Sequence, residues 1–191
     1  CGARGAWLCA RCAAGTACFT GPLCALCGIP VALGVCRCDD LPASIERVRS
    51  VGPFDGWLRG AVVQVKYHGE WARARHLAPM LAQASADLLP ADALIPVPLH
   101  PSRRKHRGFN QTEKLAEELS HEIAVPIDLA LQRIRKTTPQ VRLGAEGRQA
   151  NVADAFAISS GKSVEGKRVV LVDDVITTGA TLGACAHVLV A

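Results

Sequence analysis

Asp173 and Asp174 stand side by side after four apolar residues, Val169 to Val172, and the turn Thr177-Thr178-Gly179-Ala180-Thr181 follows shortly after. Four apolar residues suit a strand buried on both faces. In an open α/β sheet, ligands bind outside the C-terminal ends of the strands. The run Leu182 to Val190 reads as a helix, and the N-terminus of a helix offers free N–H groups and a positive dipole end to an anion. Gly179 lets the backbone come close, and Thr177, Thr178 and Thr181 add hydroxyl donors. The turn is thus expected to be a phosphate cradle. Asp173 and Asp174 beside it are acceptors suited to sugar hydroxyls. Together they describe a pocket for a ribose 5-phosphate group. Two rival phosphate motifs fail. Gly161-Lys162-Ser163 ends like a Walker A loop, but Phe156 and Ala157 stand where its first glycine belongs, and no Gly-x-Gly-x-x-Gly follows an expected strand.

A second set of residues points to metal. Eight of the nine cysteines lie within residues 1–38. Cys9 with Cys12, and Cys24 with Cys27, form C-x-x-C pairs, Cys36 with Cys38 is a C-x-C pair, and Cys1 and Cys18 stand alone. Thiolates paired on tight turns are how small ribbons hold tetrahedral Zn²⁺. About forty residues with few large apolar groups cannot build a core, and metal binding stabilises such modules by roughly 10–16 kcal/mol. Neither C-x-x-C has the strand before and helix after that a thioredoxin-like redox site needs. The fullest ligand set is Cys24, Cys27, Cys36 and Cys38. Cys1, Cys9 and Cys12 read as three ligands of a second site whose fourth is lost to truncation; Cys18 could substitute, though its isolation favours a free thiol. Crossed pairing of Cys9 and Cys12 with Cys24 and Cys27 stays open.

Charge is focused. The net charge is +5, yet residues 101–110 carry +4 through Arg103, Arg104, Lys105 and Arg107, and residues 133–148 another +4, which leaves −3 elsewhere. A polyanion, whether a phosphorylated sugar or a nucleic acid, accounts for that focus.

These groups need a scaffold. With 191 residues and 49% apolar content, the chain can build one α/β core plus a small module. No apolar run approaches the ~18–20 residues of a membrane span, no signal peptide is visible, and a cytoplasmic location is expected. The start at Cys1 and the end inside a helix read as a fragment trimmed at both ends. Residues 39–50 are expected to link two units. Val48 to Phe54 reads as an edge strand. A helix capped by Asp55 or Gly56 runs through Tyr67 and stops at Gly69, and another runs from Trp71 to about Leu89. Ala93 to Pro98 reads as a strand feeding a rigid basic loop, Leu99 to Gly108. Asn110 caps a helix with Glu113 at capping-box spacing and Leu115, Leu119 and Ile123 on its apolar face. Residues 129–134 and 155–158 read as strands, and 135–151 as a mobile segment. Strands alternating with helices argue for a parallel sheet.

Residues 169–181 resemble the phosphoribosyl pyrophosphate (PRPP) motif of type I phosphoribosyltransferases, with its apolar tetrad, acid pair and Thr/Gly loop. Pro96-Val97-Pro98-Leu99, Arg104 with Arg107-Gly108-Phe109-Asn110-Gln111, and Lys66-Tyr67 with Gly69 resemble the ComF family of phosphoribosyltransferase-like proteins. So do Thr138, Gln140 and Leu143 with Arg148, Asn151-Val152 and Ala155-Phe156, and the cysteine-rich start. The resemblance implies an α/β fold, a type I phosphoribosyltransferase-like parallel sheet flanked by helices, with a small N-terminal zinc ribbon. The ribbon would span residues 1–40 and the transferase-like domain 41–191. PRPP would bind with Mg²⁺. Asp173 and Asp174, the catalytic pair, would meet the ribose hydroxyls, and Val175, Ile176, Thr177, Thr178, Gly179, Ala180 and Thr181 would hold the 5-phosphate. The pyrophosphate would lie near Val97, Pro98, Leu99 and His100, neutralised by Arg103, Arg104, Lys105 or Arg107. His100 and His106 are the nearby histidines. Segment 135–151 would close over the site. ComF relatives are linked to natural competence, so handling of single-stranded DNA is the alternative task, and a PRPP-sensing regulator without transfer activity a third. The sequence departs from the family in the C-x-C of Cys36 and Cys38, in a first cysteine pair represented only by Cys1, and in a final strand expected beyond Ala191.

Overall fold

The computed structural model describes residues 8–36, 38–136, 152 and 154–191. At its centre, strand β1 (Ala93–Pro96) pairs in parallel with β4 (Val169–Val172), from Ala93 opposite Val169 to Pro96 opposite Val172. On its other side Leu94 bridges in parallel to Ile127. Pro96 ends the strand, and the ladder continues through Val97 N–H, which donates to Val172 O at 2.9 Å. A second pair, β2 (Leu131–Arg133) and β3 (Phe156–Ile158), is antiparallel.

Alternation along the strands builds two cores. Leu94 points into a cluster with Leu58, Leu77, Leu115, Leu119 and Val172, beneath helices α2 (Gly56–His68), α3 (Ala74–Ala84) and α5 (Gln111–Ile123). Ile95, its neighbour, points the other way, into a cluster with Val97, Leu131, Phe156 and Cys185, beneath helix α6 (Ala180–Val190) and the β2–β3 pair. A strand covered on both faces must be apolar throughout, and all four residues of β1 are buried.

β4 departs from expectation, because only Val172 is fully buried and Val169 to Leu171 are half-buried. Among the described residues β4 pairs only with β1. Its flank borders a cavity of about 440 Å³ between the linker at 44–54 and helices α2, α5 and α6.

The helix boundaries follow local chemistry. Asp55 caps α2 by accepting from Gly56 N at 2.7 Å, and Gly69 ends it in the left-handed conformation at φ 69°. The expected edge strand at 48–54 is not formed. Val48 N donates to Leu26 O and Phe19 N to Val51 O, so this stretch uses its backbone to hold the cysteine module. Gly52 fits there because a Cβ would lie 2.2 Å from Ala17 O. The expected basic loop at 99–108 is largely helix α4 (Pro101–Arg107). Pro101 at its first position is pre-set for a helix, His100 Nδ1 accepts from Ser102 N, and Gly108 at φ 85° closes the end. Segment 137–151 lies outside the described residues. The expected helix at 71–89 forms as α3 with short 3₁₀ turns at each end.

Candidate functional site

The cysteine module carries one compact group. The sulfurs of Cys24, Cys27, Cys36 and Cys38 all lie within 4.8 Å of one another. Four thiolates at ~2.3 Å from a tetrahedral Zn²⁺ would be about 3.8 Å apart. Cys24 lies 3.7 Å from Cys36 and 3.4 Å from Cys38, and Cys27 lies 3.7 Å from Cys36, so these fit; Cys36 and Cys38, at 2.8 Å, must spread to admit the ion. The knuckle is prepared for a thiolate, since the backbone N–H groups of Cys27 and Leu26 aim at Cys24 and pull its pKa down to about 6. Cys38, sharing hydrogen bonds first with Cys36 and then with Cys24, is pushed up to about 12. Gly28, at φ 68°, makes the turn, and a Cβ there would lie 2.5 Å from Val48 O. A short helix, α1 (Ala10–Ala14), follows Cys9. Cys9 and Cys12 hydrogen-bond to each other, and the Cys12 backbone N–H is the main cause of a lowered Cys9 pKa. Among the described residues they do not join the group of four. Cys18 is exposed, and Cys1 lies outside the described residues.

The second centre is the C-terminal end of β4. Asp173 Oδ1 accepts from Asp174 N at 2.8 Å. The chain then passes through Val175 and Ile176 to the Thr/Gly turn, where Gly179, left-handed at φ 73°, caps α6 and Thr178 Oγ1 accepts from Ala180 N. α6 begins two residues earlier than the apolar run suggested. Asp173 and Val175 to Leu182 line a hollow of about 10 Å³. That is room for about one water, so a phosphate would lie on this loop rather than inside it. Asp173 borders the hollow; Asp174 does not. Burial of its carboxyl, reinforced by the charge of Asp174, raises the Asp173 pKa to about 7.

Asp174 is turned to α2 instead. Its Oδ1 accepts from Lys66 Nζ at 3.0 Å, and its Oδ2 lies 2.8 Å from the same nitrogen. Lys66 therefore takes up the Asp174 carboxylate, and the Asp173 oxygens that remain are too few to fit a Mg²⁺ ion held by the protein alone.

The strand end at Val97 to His100 is pinned from α5. Asn110 Nδ2 donates to Val97 O at 3.1 Å and Thr112 Oγ1 to the same oxygen at 2.6 Å. Asn110 Oδ1 accepts from Thr112 N, which caps the helix. Pro98, Leu99 and His100 are half-buried beyond this clamp.

Because 101–107 is helical, its cations part company. Arg103 and Arg107 share a face at i, i+4. Arg107 sits 5.5 Å from the centre of the Tyr67 ring and bonds Gln111. Its pKa is lowered by burial, against the pull of the Asp174 charge. Arg104 instead pairs with Glu113 at 2.8 Å, and Lys105 and His106 face solvent. The structure thus brings Arg107 toward the acid pair and leaves Arg104 and Lys105 apart from it. Two cations that the residue pattern did not assign to the site do approach it. One is Lys66. The other is Arg133, buried over the Phe156 ring at 5.1 Å and close enough to Asp173 to feel its charge.

Comparison with known proteins follows the same lines. A family described as "Phosphoribosyl transferase domain" matches residues 79–191. The chain is 34% identical over 177 residues to "DNA utilization protein YhgH" of Salmonella typhimurium, covering 87% of this chain and 77% of that one. It is 38% identical over 120 residues to "Competence protein F" of Haemophilus influenzae, covering 62% and 52% of the two chains. "Competence protein ComFC" of Bacillus subtilis is 28% identical over 184 residues, covering 90% and 72%. The chain belongs to the ComF family of phosphoribosyltransferase-like proteins. No solved structure matches it. Among the described residues of this ComF family member, no helix is long and apolar enough to cross a membrane.

Proposed function

We propose that this ComF-type chain binds PRPP or a related ribose 5-phosphate group on the 175–181 loop, with a zinc-holding module at 1–40 and the phosphoribosyltransferase-like domain at 41–191. The observation that carries the reading is the loop itself: a left-handed glycine and threonine hydroxyls at the N-terminus of an 11-residue helix, directly after a carboxylate pair. Zn²⁺ is the ion that suits four clustered sulfurs. Mg²⁺ would enter on the phosphate oxygens of the ligand. In transfer, the bond from ribose C1 to the pyrophosphate oxygen breaks and one from C1 to an acceptor atom forms, the acceptor losing a proton. Positioning and stabilisation of the departing charge would carry that step. The cytoplasm is the compartment proposed.

Calorimetric titration of PRPP tests the reading. Asp173→Asn with Asp174→Asn should weaken binding by at least tenfold in a folded protein, and unchanged affinity would reject the site. A second reading, single-stranded DNA handling, is favoured by one feature. Tyr67 and Trp71 are 62% and 52% exposed, and each ring carries a cation, Arg107 at 5.5 Å and Lys114 at 5.6 Å. Exposed rings beside cations are stacking platforms for bases. On that reading oligonucleotide binding weakens with salt at a slope of about −0.7 per phosphate contacted.

A further inference from the structure

Lys66 lies in the last turn of α2, 108 residues before its partner Asp174. The Asp174 side chain is 6% exposed and that of Lys66 25%. Oδ1 receives a hydrogen bond at 3.0 Å, whereas Oδ2, at 2.8 Å, is close enough to pair with Nζ but finds no hydrogen-bond donor aligned on it. A buried carboxylate without a counter-charge takes up a proton or a cation. Here the cation is part of the fold.

We propose that Lys66 is a positioning residue for the acid pair: its ammonium fixes Asp174 and occupies the place a divalent cation would otherwise take beside Asp173. The inference rests on the phosphoribosyl reading of the loop. Three features of the geometry support it. Lys66 reaches both oxygens of one acid only, so the two acids divide their work. Asp173, which lines the hollow under the Thr/Gly turn, is the acceptor left for a sugar hydroxyl. Arg107 of α4 stacks on Tyr67, the residue after Lys66, and feels the Asp174 charge, so a second cation acts on the same carboxylate without pairing directly with it. Gly69 completes the arrangement by ending α2 one residue after His68, placing Lys66 and Tyr67 in the terminal turn.

The test uses zinc-loaded, full-length protein at pH 8, with Mn²⁺ binding followed by electron paramagnetic resonance and PRPP binding by calorimetry. Lys66→Met should gain a Mn²⁺ site at least tenfold tighter than any the wild type shows near the acids, and adding Asp174→Asn should abolish that gain. Lys66→Met should also weaken PRPP about tenfold, and Lys66→Arg should restore both properties toward wild type. A purely structural lysine would not alter metal affinity in this direction. A second measurement serves if Lys66→Met does not fold: Asp174→Asn should free Lys66 and speed its acetylation several-fold, read by peptide mass. A folded Lys66→Met protein that binds Mn²⁺ no better than wild type overturns the role of Lys66, as does an acetylation rate that Asp174→Asn leaves unchanged. The two readings fail separately. Wild type that ignores PRPP sinks the phosphoribosyl reading, whereas wild type that binds it, with a Lys66→Met variant altered in neither ligand, sinks only this one.

Discussion

Replacing Asn110 with alanine should cost this fold about 2–3 kcal/mol, and the structure shows where that cost arises. Asn110 is 1% exposed. Its Oδ1 accepts from Thr112 N at the start of α5, an N-cap whose loss costs about 1 kcal/mol. Its Nδ2 donates to Val97 O, a buried hydrogen bond worth about another 1 kcal/mol. The void left by the amide adds a fraction more. The sum stays modest because Val97 O keeps its bond from Thr112 Oγ1 at 2.6 Å. Urea unfolding of the zinc-loaded protein, followed by circular dichroism, reads the loss directly. In a protein of this size, 2–3 kcal/mol corresponds to a drop of about 4–12 °C in Tm. Asn110→Ser separates the two contributions: it keeps a capping oxygen and loses the amide donor, so it should cost about half as much. If Asn110→Ala stays within about 0.5 kcal/mol of wild type, or serine is no better than alanine, the clamp between α5 and the Val97 strand end is not what holds this corner.

Asp173 binds its proton more tightly folded (pKa about 7) than unfolded (3.8), so its contribution to stability falls as pH rises through that window and is constant above it. Between pH 5 and 7 wild type should lose about 2 kcal/mol through this group, and urea midpoints for Asp173→Asn should show that slope removed; an equal slope in both proteins would refute the burial argument. Asp87 and Asp128, whose pKa values are lowered chiefly by hydrogen bonds from Arg49 and by the Lys162 ammonium paired with Asp128 at 2.8 Å, act oppositely, adding stability above the ordinary carboxylate range that is lost as pH falls below it. Metal removal should also be felt beyond the cysteine module. Arg49 holds Asp87 with two nitrogens while its Nη1 donates to the carbonyls of Cys24 and Ala25 in the knuckle. Chelation should therefore raise amide exchange at Ala86 to Leu88 as well as in residues 24–28, and exchange confined to the cysteine module would refute the coupling.

Much of this was readable in advance because the signals were local. The apolar tetrad, the caps at Asp55, Gly69 and Asn110, and the C-x-x-C knuckle each depend on residues within a few positions of one another. Two elements differ from the sequence expectation. Residues 99–108 read as a rigid loop after Pro96 and Pro98, although Pro101 and Gly108 bracket a helix by ordinary start and stop rules. The apolar residues of 48–54 suggested a strand, but that stretch bonds the cysteine module instead of a sheet. The Lys66–Asp174 pairing was not legible in the sequence, although Lys66-Tyr67 with Gly69 marked the segment. The two residues are 108 positions apart, and only the packing of α2 against the end of β4 brings them together.

That long-range pairing bears on how an acidic loop can face a phosphate. Left uncompensated, a carboxylate ~6 Å from a phosphate charge would oppose it by roughly 3 kcal/mol at an effective dielectric of ~20. Two such groups would cancel much of what a helix N-terminus and a few hydroxyls supply. Here the acids are offset by cations drawn from three separate elements: Lys66 from α2, Arg107 from α4 and Arg133 from β2. Protonation of Asp173 near neutral pH reduces the negative charge further. With the acids offset, the helix N-terminus at Gly179 and Ala180 sets the sign of the charge that this turn presents. On the proposed phosphoribosyl reading, a loop built this way would keep carboxylates for sugar hydroxyls and still attract the phosphate on the same sugar, which an acid pair without these partners would repel.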